Sequence, residues 1–99
     1  MNNFFLSKKS TEDLADIWRY TFYRWSEKQA DAYFEMILNS CKAIAKFPKL
    51  YGKNYDYVRE GLLGFKANKH IIFYEITSEL DIEIIRILHE SMDYQRHLK

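Results

Sequence analysis

The chain has 99 residues, of which 47% are hydrophobic and 17% aromatic, and its formal net charge is +1. This length predicts one domain over residues 1–99, and the aromatic content excludes intrinsic disorder. No apolar run approaches the roughly 18 residues of a membrane-spanning helix, and the N-terminus lacks the basic start and apolar core of a signal peptide. With a single cysteine, Cys41, no internal disulfide forms. We therefore expect a cytoplasmic protein that does not contact membranes.

Charge is distributed unevenly along the chain. Residues 1–45 are balanced, residues 46–69 contain six basic and two acidic side chains, and residues 70–99 contain three basic and six acidic ones. The central basic stretch is suited either to a phosphate or acidic protein surface or simply to a solvated loop. The near-zero total argues against a general nucleic-acid coat.

The N-terminal half predicts one strand and two helices. The apolar residues 4–7 indicate a first strand. Ser10, followed by acidic residues, predicts the start of a helix whose apolar positions recur at helical spacing through Trp25. Ser26, with Gln29 three residues later, matches a capping box and predicts a second helix. That helix must end at Phe47, because the following Pro48 disfavours helical angles in the residue before it.

The C-terminal half predicts three strands. Residues 49–56 are interpreted as a loop, residues 57–66 as a strand bent at Gly61 or Gly64, and Ala67-Asn68 as a tight turn. Residues 69–76 and 82–89 are strong strands, and residues 91–99 form a polar tail. Short connections between these strands indicate antiparallel hairpins.

The resulting order, β-α-α-β-β-β, predicts an α+β fold with a helical hairpin packed on one face of an antiparallel sheet. The other face of the sheet, or a groove beside it, would then be available to partners.

The sequence contains no complete motif for a metal, a cofactor or catalysis. Residues 89–93 approach the zinc-protease pattern, but Asp93 stands where a second His ligand is required. Cys41 lies on the apolar stripe of the second helix and is interpreted as a buried thiol. Trp25 and the other aromatic residues at helical spacing are expected in the core, whereas Tyr20 and Tyr23 fall off that stripe.

Arg86 is unusual in a strand made otherwise of Ile and Leu. It is either a buried partner of an acidic residue or a binding residue. Strand periodicity places Arg86 and His89 on opposite faces of the sheet unless a bulge intervenes between them.

Four stretches carry a family resemblance. The first stretch comprises Leu6-Ser7, Asp13-Leu14 and Ile17-Trp18-Arg19-Tyr20, and the second comprises Trp25, Gln29-Ala30 and Tyr33. The third comprises Phe47-Pro48, Gly52-Lys53 and Val58 to Leu62. The fourth comprises His70 to Tyr74, Ile84 to His89, Met92-Asp93 and Arg96 to Leu98. In this order and over nearly the whole chain, the sequence resembles the ParE toxins of the RelE/ParE superfamily.

The resemblance implies a toxin of a type II toxin–antitoxin system that binds DNA gyrase, traps cleaved DNA and arrests growth without being an enzyme. It implies a hetero-oligomer with a ParD-like antitoxin, whose disordered segment folds onto the toxin, and contact with operator DNA only through that antitoxin. No cofactor is implied.

By charge, position and loose analogy, five residues are predicted to contact the target: Arg59, Lys66, Arg86, His89 and Arg96. Tyr20 and Tyr23 are predicted to contact the antitoxin.

Many ParE sequences carry a basic residue where this chain has Leu63, Glu75 and Ser91. Two alternatives remain, namely a RelE-like mRNA endoribonuclease that uses Tyr94 and His97, and a module that binds its antitoxin without being toxic.

Overall fold

The computed structural model describes residues 3–98. Its elements in chain order are β1 (Asn3–Leu6), α1 (Lys8–Arg24), α2 (Glu27–Lys46), α3 (Pro48–Tyr51), β2 (Lys53–Asn54), β3 (Leu63–Ala67), β4 (His70–Ile76), β5 (Asp81–His89) and α4 (Tyr94–Leu98).

The strands form one five-stranded sheet in the order β1-β5-β4-β3-β2, with the α1–α2 hairpin packed on one face. The predicted α+β fold is confirmed. The sheet is mixed rather than wholly antiparallel, because β1 runs parallel to β5 while the other neighbours are antiparallel. The chain leaves β1 through the helices, crosses to the far edge and returns by hairpins, so β5 reaches β1 in the same direction.

The two helices start at serine caps. Ser26 caps α2 as predicted, accepting a hydrogen bond from the Gln29 N–H at 3.1 Å. The predicted cap of α1, Ser10, is wrong, because Ser7 accepts from the Ser10 N–H at 3.0 Å and the helix starts three residues earlier. Ser10 is instead buried inside the first turn. The helix α2 ends before Phe47 and Pro48, as predicted.

The segment between α2 and β3 differs from its prediction. Pro48 begins the short helix α3, because its fixed φ suits a first helical position. Residues 57–62 form no strand. The Asp56 carboxylate accepts from the Gly61 N–H at 2.8 Å and closes a loop there, and Gly61 has a φ of +82°. The following hairpin turn lies one residue later than predicted, with Asn68 at a φ of +58°.

A β-bulge in β5 directs its apolar side chains. Tyr74 pairs with Ile84 and Phe73 pairs with Arg86, so Ile85 is the extra residue. Because of this insertion, both Ile84 and Ile87 face the helices and join the main core.

The other face of the sheet is covered, contrary to the expectation that it is available. A second apolar cluster there joins the loop and α4 to the sheet, and comprises Tyr55, Leu62, Ile71, Phe73, Leu88 and Leu98. The predicted polar tail is therefore partly the helix α4, whose Leu98 is buried. Tail residue Lys99 lies outside the described residues.

The edge of β5 beyond β1 is covered by α1. Because β1 ends at Leu6, the backbone of β5 after residue 84 has no neighbouring strand on that side. Ser7 Oγ donates to the Ile85 carbonyl at 2.8 Å, and the Asp13 carboxylate accepts from the Ile87 N–H at 3.0 Å. The same carboxylate forms two bonds, of 2.8 and 2.9 Å, with the Arg86 guanidinium. Arg86 is thus a buried partner of an acid.

Removal of the Asp13 carboxylate should destabilise the fold strongly. We expect Asp13→Ala to lower the free energy of unfolding by about 3 kcal/mol or more, because a largely buried arginine and a backbone N–H lose their partner. Urea denaturation measures this loss. Asp16→Ala is the matched control, since the Asp16–Arg19 ion pair on the same helix is exposed and should contribute less than about 1 kcal/mol. Equal losses in both variants would contradict the structural role of Asp13.

Candidate functional site: the hairpin groove

A groove of about 900 Å³ lies beneath the tip of the α1–α2 hairpin, beside the β3–β4 turn and the end of β5. It forms because the hairpin extends past the end of the sheet, where helix residues have no strand to pack on. Its apolar lining comes from both helices and consists of Ile17, Tyr20, Trp25, Ala32, Tyr33 and Met36. We call this feature the hairpin groove.

The inner end of the hairpin groove is polar. The Tyr33 hydroxyl accepts from the Lys69 N–H at 3.2 Å and lies 2.6 Å from His70 Nδ1, so it connects α2 to the β3–β4 turn. The His70 and His89 rings face each other edge-on with centroids 5.4 Å apart. Burial, and secondarily the neighbouring His89, lower the pKa of His70 to about 4. His70 is therefore neutral at physiological pH.

The Glu90 carboxylate contacts two lysine side chains beside the two histidines. It lies 2.9 Å from Lys66 Nζ and 3.7 Å from Lys69 Nζ. The hydrogen bond from Lys66 is the main cause that holds the pKa of Glu90 below its usual range. The single carboxylate of Glu90 is thus shared by two lysines, of which Lys69 lines the groove.

The predicted target-contacting residues do not form one cluster. Arg59 pairs with Glu75 at 3.1 Å, and Lys66 pairs with Glu90. Glu75 is five residues from His70 along β4, about 17 Å away. Arg86 forms an ion pair with Asp13 at the edge of β5. It lies opposite Phe73 of β4, whereas His89 lies opposite His70 of β4. Arg96 is exposed on α4 and has no ion pair within residues 3–98.

The structure brings one predicted target residue, His89, and one predicted antitoxin residue, Tyr20, to the same groove. Tyr23 is 81% exposed but lies outside the groove lining, with its ring edge-on to Phe22. Contact of these residues with any partner stays a prediction.

Trp25 was expected in the core, and that expectation is wrong. Its side chain is 65% exposed and lines the hairpin groove. It caps the C-terminus of α1 at the hairpin tip, beyond the edge of the sheet. The sequence signal for this exposure is the position of Trp25 immediately before the Ser26 cap, since residues at a hairpin tip have fewer neighbours to pack against.

Tyr94, one of the two residues that a RelE-like nuclease would use, is engaged in the fold. The Tyr94 hydroxyl donates to the Glu90 carbonyl at 2.7 Å, and its ring packs edge-on against Phe73. Burial raises the pKa of Tyr94 above its usual range. The predicted burial of Cys41 is confirmed, and desolvation raises the pKa of that thiol to about 12. Within residues 3–98, no three His, Cys, Asp or Glu side chains are grouped to hold a metal.

Among the helices of residues 3–98, none has the length and apolar character required to cross a membrane.

Comparison with known proteins identifies the family. The model of the family described as "ParE toxin of type II toxin-antitoxin system, parDE" matches residues 4–94. The chain belongs to the ParE toxin family. It is 32% identical to Toxin ParE1 of Mycobacterium tuberculosis over 98% of both chains, and 34% identical to Toxin ParE1 of Caulobacter vibrioides over 99% of both.

Solved structures share the fold. A chain from the chromosomal ParDE TA system of P. aeruginosa superposes with a TM-score of 0.79 at 15% identity, covering 90% of this chain and 96% of that chain. A chain of the toxin–antitoxin complex RelBE2 from Mycobacterium tuberculosis gives a TM-score of 0.59 at 17% identity, covering 90% and 98%. These structures show a shared fold, while the family match over residues 4–94 and the two ParE1 relatives confirm the predicted resemblance to the ParE family.

Stability should depend on pH through His70. Its pKa is about 4 in the folded chain against 6.5 ordinarily, so the folded state binds this proton less tightly than the unfolded state. The contribution of the neutral His70 ring to the free energy of unfolding is complete above pH 6.5 and is lost as the pH falls to 4. We expect it to be on the order of 1–2 kcal/mol, since the ring is partly exposed.

The measurement is urea denaturation between pH 4 and 7.5 for the wild type and for His70→Asn, which retains an acceptor for the Tyr33 hydroxyl. The variant should lack that part of the pH dependence, and parallel curves for the two proteins would contradict the assignment.

Proposed function

We propose that this ParE-family toxin binds DNA gyrase in the cytoplasm and halts replication, and that a ParD-like antitoxin neutralises it by occupying the hairpin groove. The observation that carries the proposal is the match to ParE toxins along nearly the whole chain, residues 4–94. The P. aeruginosa neighbour is titled as part of a ParDE TA system and the other as a toxin–antitoxin complex, which supports an antitoxin partner here. Contact with operator DNA would then be made by the antitoxin alone.

The shape and chemistry of the hairpin groove support a helical occupant. Exposed aromatic side chains, Tyr20 and Trp25, stand at its mouth, and the apolar surface of Met36 lies deeper. An amphipathic helix that lays its apolar face into such a groove buries this surface. Arg24 lines the same groove and has no ion pair within residues 3–98, which favours an occupant with acidic residues.

Packing around α4 favours binding over RNA cleavage. A ribonuclease needs general acid and base groups free to reach the 2′-hydroxyl and the phosphate. The hydroxyl of Tyr94 is bonded to a backbone carbonyl, and Lys66 is neutralised by Glu90. Two of the groups that could serve such chemistry are therefore engaged within the protein.

The test is a DNA supercoiling assay with purified gyrase and this protein, scoring both lost supercoiling and accumulated cleaved DNA. We expect both effects, and both should disappear when the antitoxin is added first. No effect from a folded sample would refute the gyrase target. An mRNA cleavage assay on translating ribosomes would then distinguish a nuclease from a protein that only binds its antitoxin.

Two tyrosines on α1 give a matched test of the groove. Tyr20→Ala should weaken antitoxin binding at least tenfold, because it removes an aromatic anchor from the groove wall. Tyr23→Ala, three residues along the same helix and more exposed, should change the affinity less than threefold. Isothermal titration calorimetry measures both. A larger effect at Tyr23 would place the antitoxin on the outer side of α1.

A further inference from the structure

Two histidines line the inner end of the hairpin groove, and both are held through the same ring nitrogen, Nδ1. The Nδ1 atom of His89 accepts from the Ser91 N–H at 3.1 Å and lies 2.8 Å from Ser91 Oγ. A nitrogen that accepts a hydrogen bond carries no proton, so we assign the proton of the neutral His89 ring to Nε2.

The same assignment holds for His70. The Tyr33 hydroxyl makes no hydrogen bond to an acceptor other than His70 Nδ1 within residues 3–98, so its proton points to that nitrogen. The neutral His70 ring therefore carries its proton on Nε2 as well. Tyr33 and Ser91 thus fix both rings through Nδ1.

Both Nε2–H groups are available to a ligand. Neither makes a hydrogen bond to any residue in the range 3–98, although every buried side-chain nitrogen and oxygen in that range has a partner. The Nε2 atom of the half-buried His70 is therefore accessible, His89 is an exposed residue, and both residues line the groove. Two neighbouring donors with no acceptor are thus left for an occupant of the groove to satisfy.

The surrounding charge indicates what kind of acceptor fits. Lys69 lines this end of the groove, and its 3.7 Å contact with Glu90 is longer than the 2.9 Å contact that Glu90 makes with Lys66. The other acidic residue of the lining, Asp16, is bonded to Arg19. A carboxylate offers two acceptor oxygens to the two imidazole donors and adds the negative charge that the lysines favour.

We propose that His70 and His89 form a carboxylate subsite that receives one Asp or Glu side chain of the antitoxin segment. This inference rests on the proposed function, since it specifies how the antitoxin enters the hairpin groove. The apolar wall would hold the segment, and the subsite would fix its register by accepting a carboxylate at one position along the helix.

The test uses the 99-residue chain and its whole ParD-like antitoxin, with affinity measured by calorimetry. His89→Phe, which retains a ring but removes the donor, should weaken binding about tenfold or more. His89→Gln, whose amide donates from a similar position, should recover most of the affinity. His97→Phe on α4, away from the groove, is the matched control and should leave the affinity unchanged. Thermal unfolding verifies that each variant is folded.

A double-mutant cycle identifies the carboxylate. Each Asp or Glu of the antitoxin's toxin-binding segment is replaced by Asn or Gln and titrated against the wild type and His89→Phe. One acidic position should lose its effect in the variant. If every substitution costs the same against both toxins, the subsite is refuted while the antitoxin partnership stands. If the wild type itself binds no antitoxin, the partnership is refuted and the subsite with it.

The ring protonation is checked separately from binding. Long-range proton–nitrogen NMR spectra of the free toxin at pH 7.5 should show the proton on Nε2 of both His70 and His89. A proton on Nδ1 of His89 would overturn the proposal, because the ring would then present an acceptor to the groove.

Discussion

The Asp13 carboxylate is the contact on which the arrangement of helices and sheet depends. It accepts hydrogen bonds from the backbone of Ile87 and from the side chain of Arg86, in the part of β5 that β1 does not reach. A four-residue strand beside a nine-residue strand leaves backbone groups without partners, and buried backbone groups must be paired. The helix α1 supplies those partners and is thereby held across the edge of the sheet.

The position of α1 determines the hairpin groove. With α1 fixed at residues 7–13, the rest of the hairpin extends beyond the sheet and leaves the space beneath its tip open. Tyr33 connects α2 to the β3–β4 turn, since its hydroxyl forms hydrogen bonds with both Lys69 and His70. The groove therefore has walls fixed by hydrogen bonds at both ends, which suits a site that receives a segment folding upon binding.

Ion pairs between strands explain the uneven charge of the sequence. The basic stretch, residues 46–69, lies next to the acidic C-terminal third in the sheet, and Arg59 and Lys66 each meet an acid from it. Glu75, at a position where many ParE sequences carry a basic residue, is the partner of Arg59. Half of the six basic side chains of this stretch, Arg59, Lys66 and Lys69, thus contact a carboxylate of the C-terminal third.

Local patterns determined the class of fold, the α2 cap at Ser26, the central strands and the end of α2 before Pro48, because capping, periodicity and proline geometry act within a few residues. Those patterns also placed Tyr20 off the apolar stripe of α1 and identified Arg86 as unusual in its strand. Only the tertiary structure decided the parallel pairing of β1 and the covered second face of the sheet. Each of these depends on contacts between residues far apart in the chain. The partner of Arg86 is 73 positions away, and no local spacing specifies a contact at that separation.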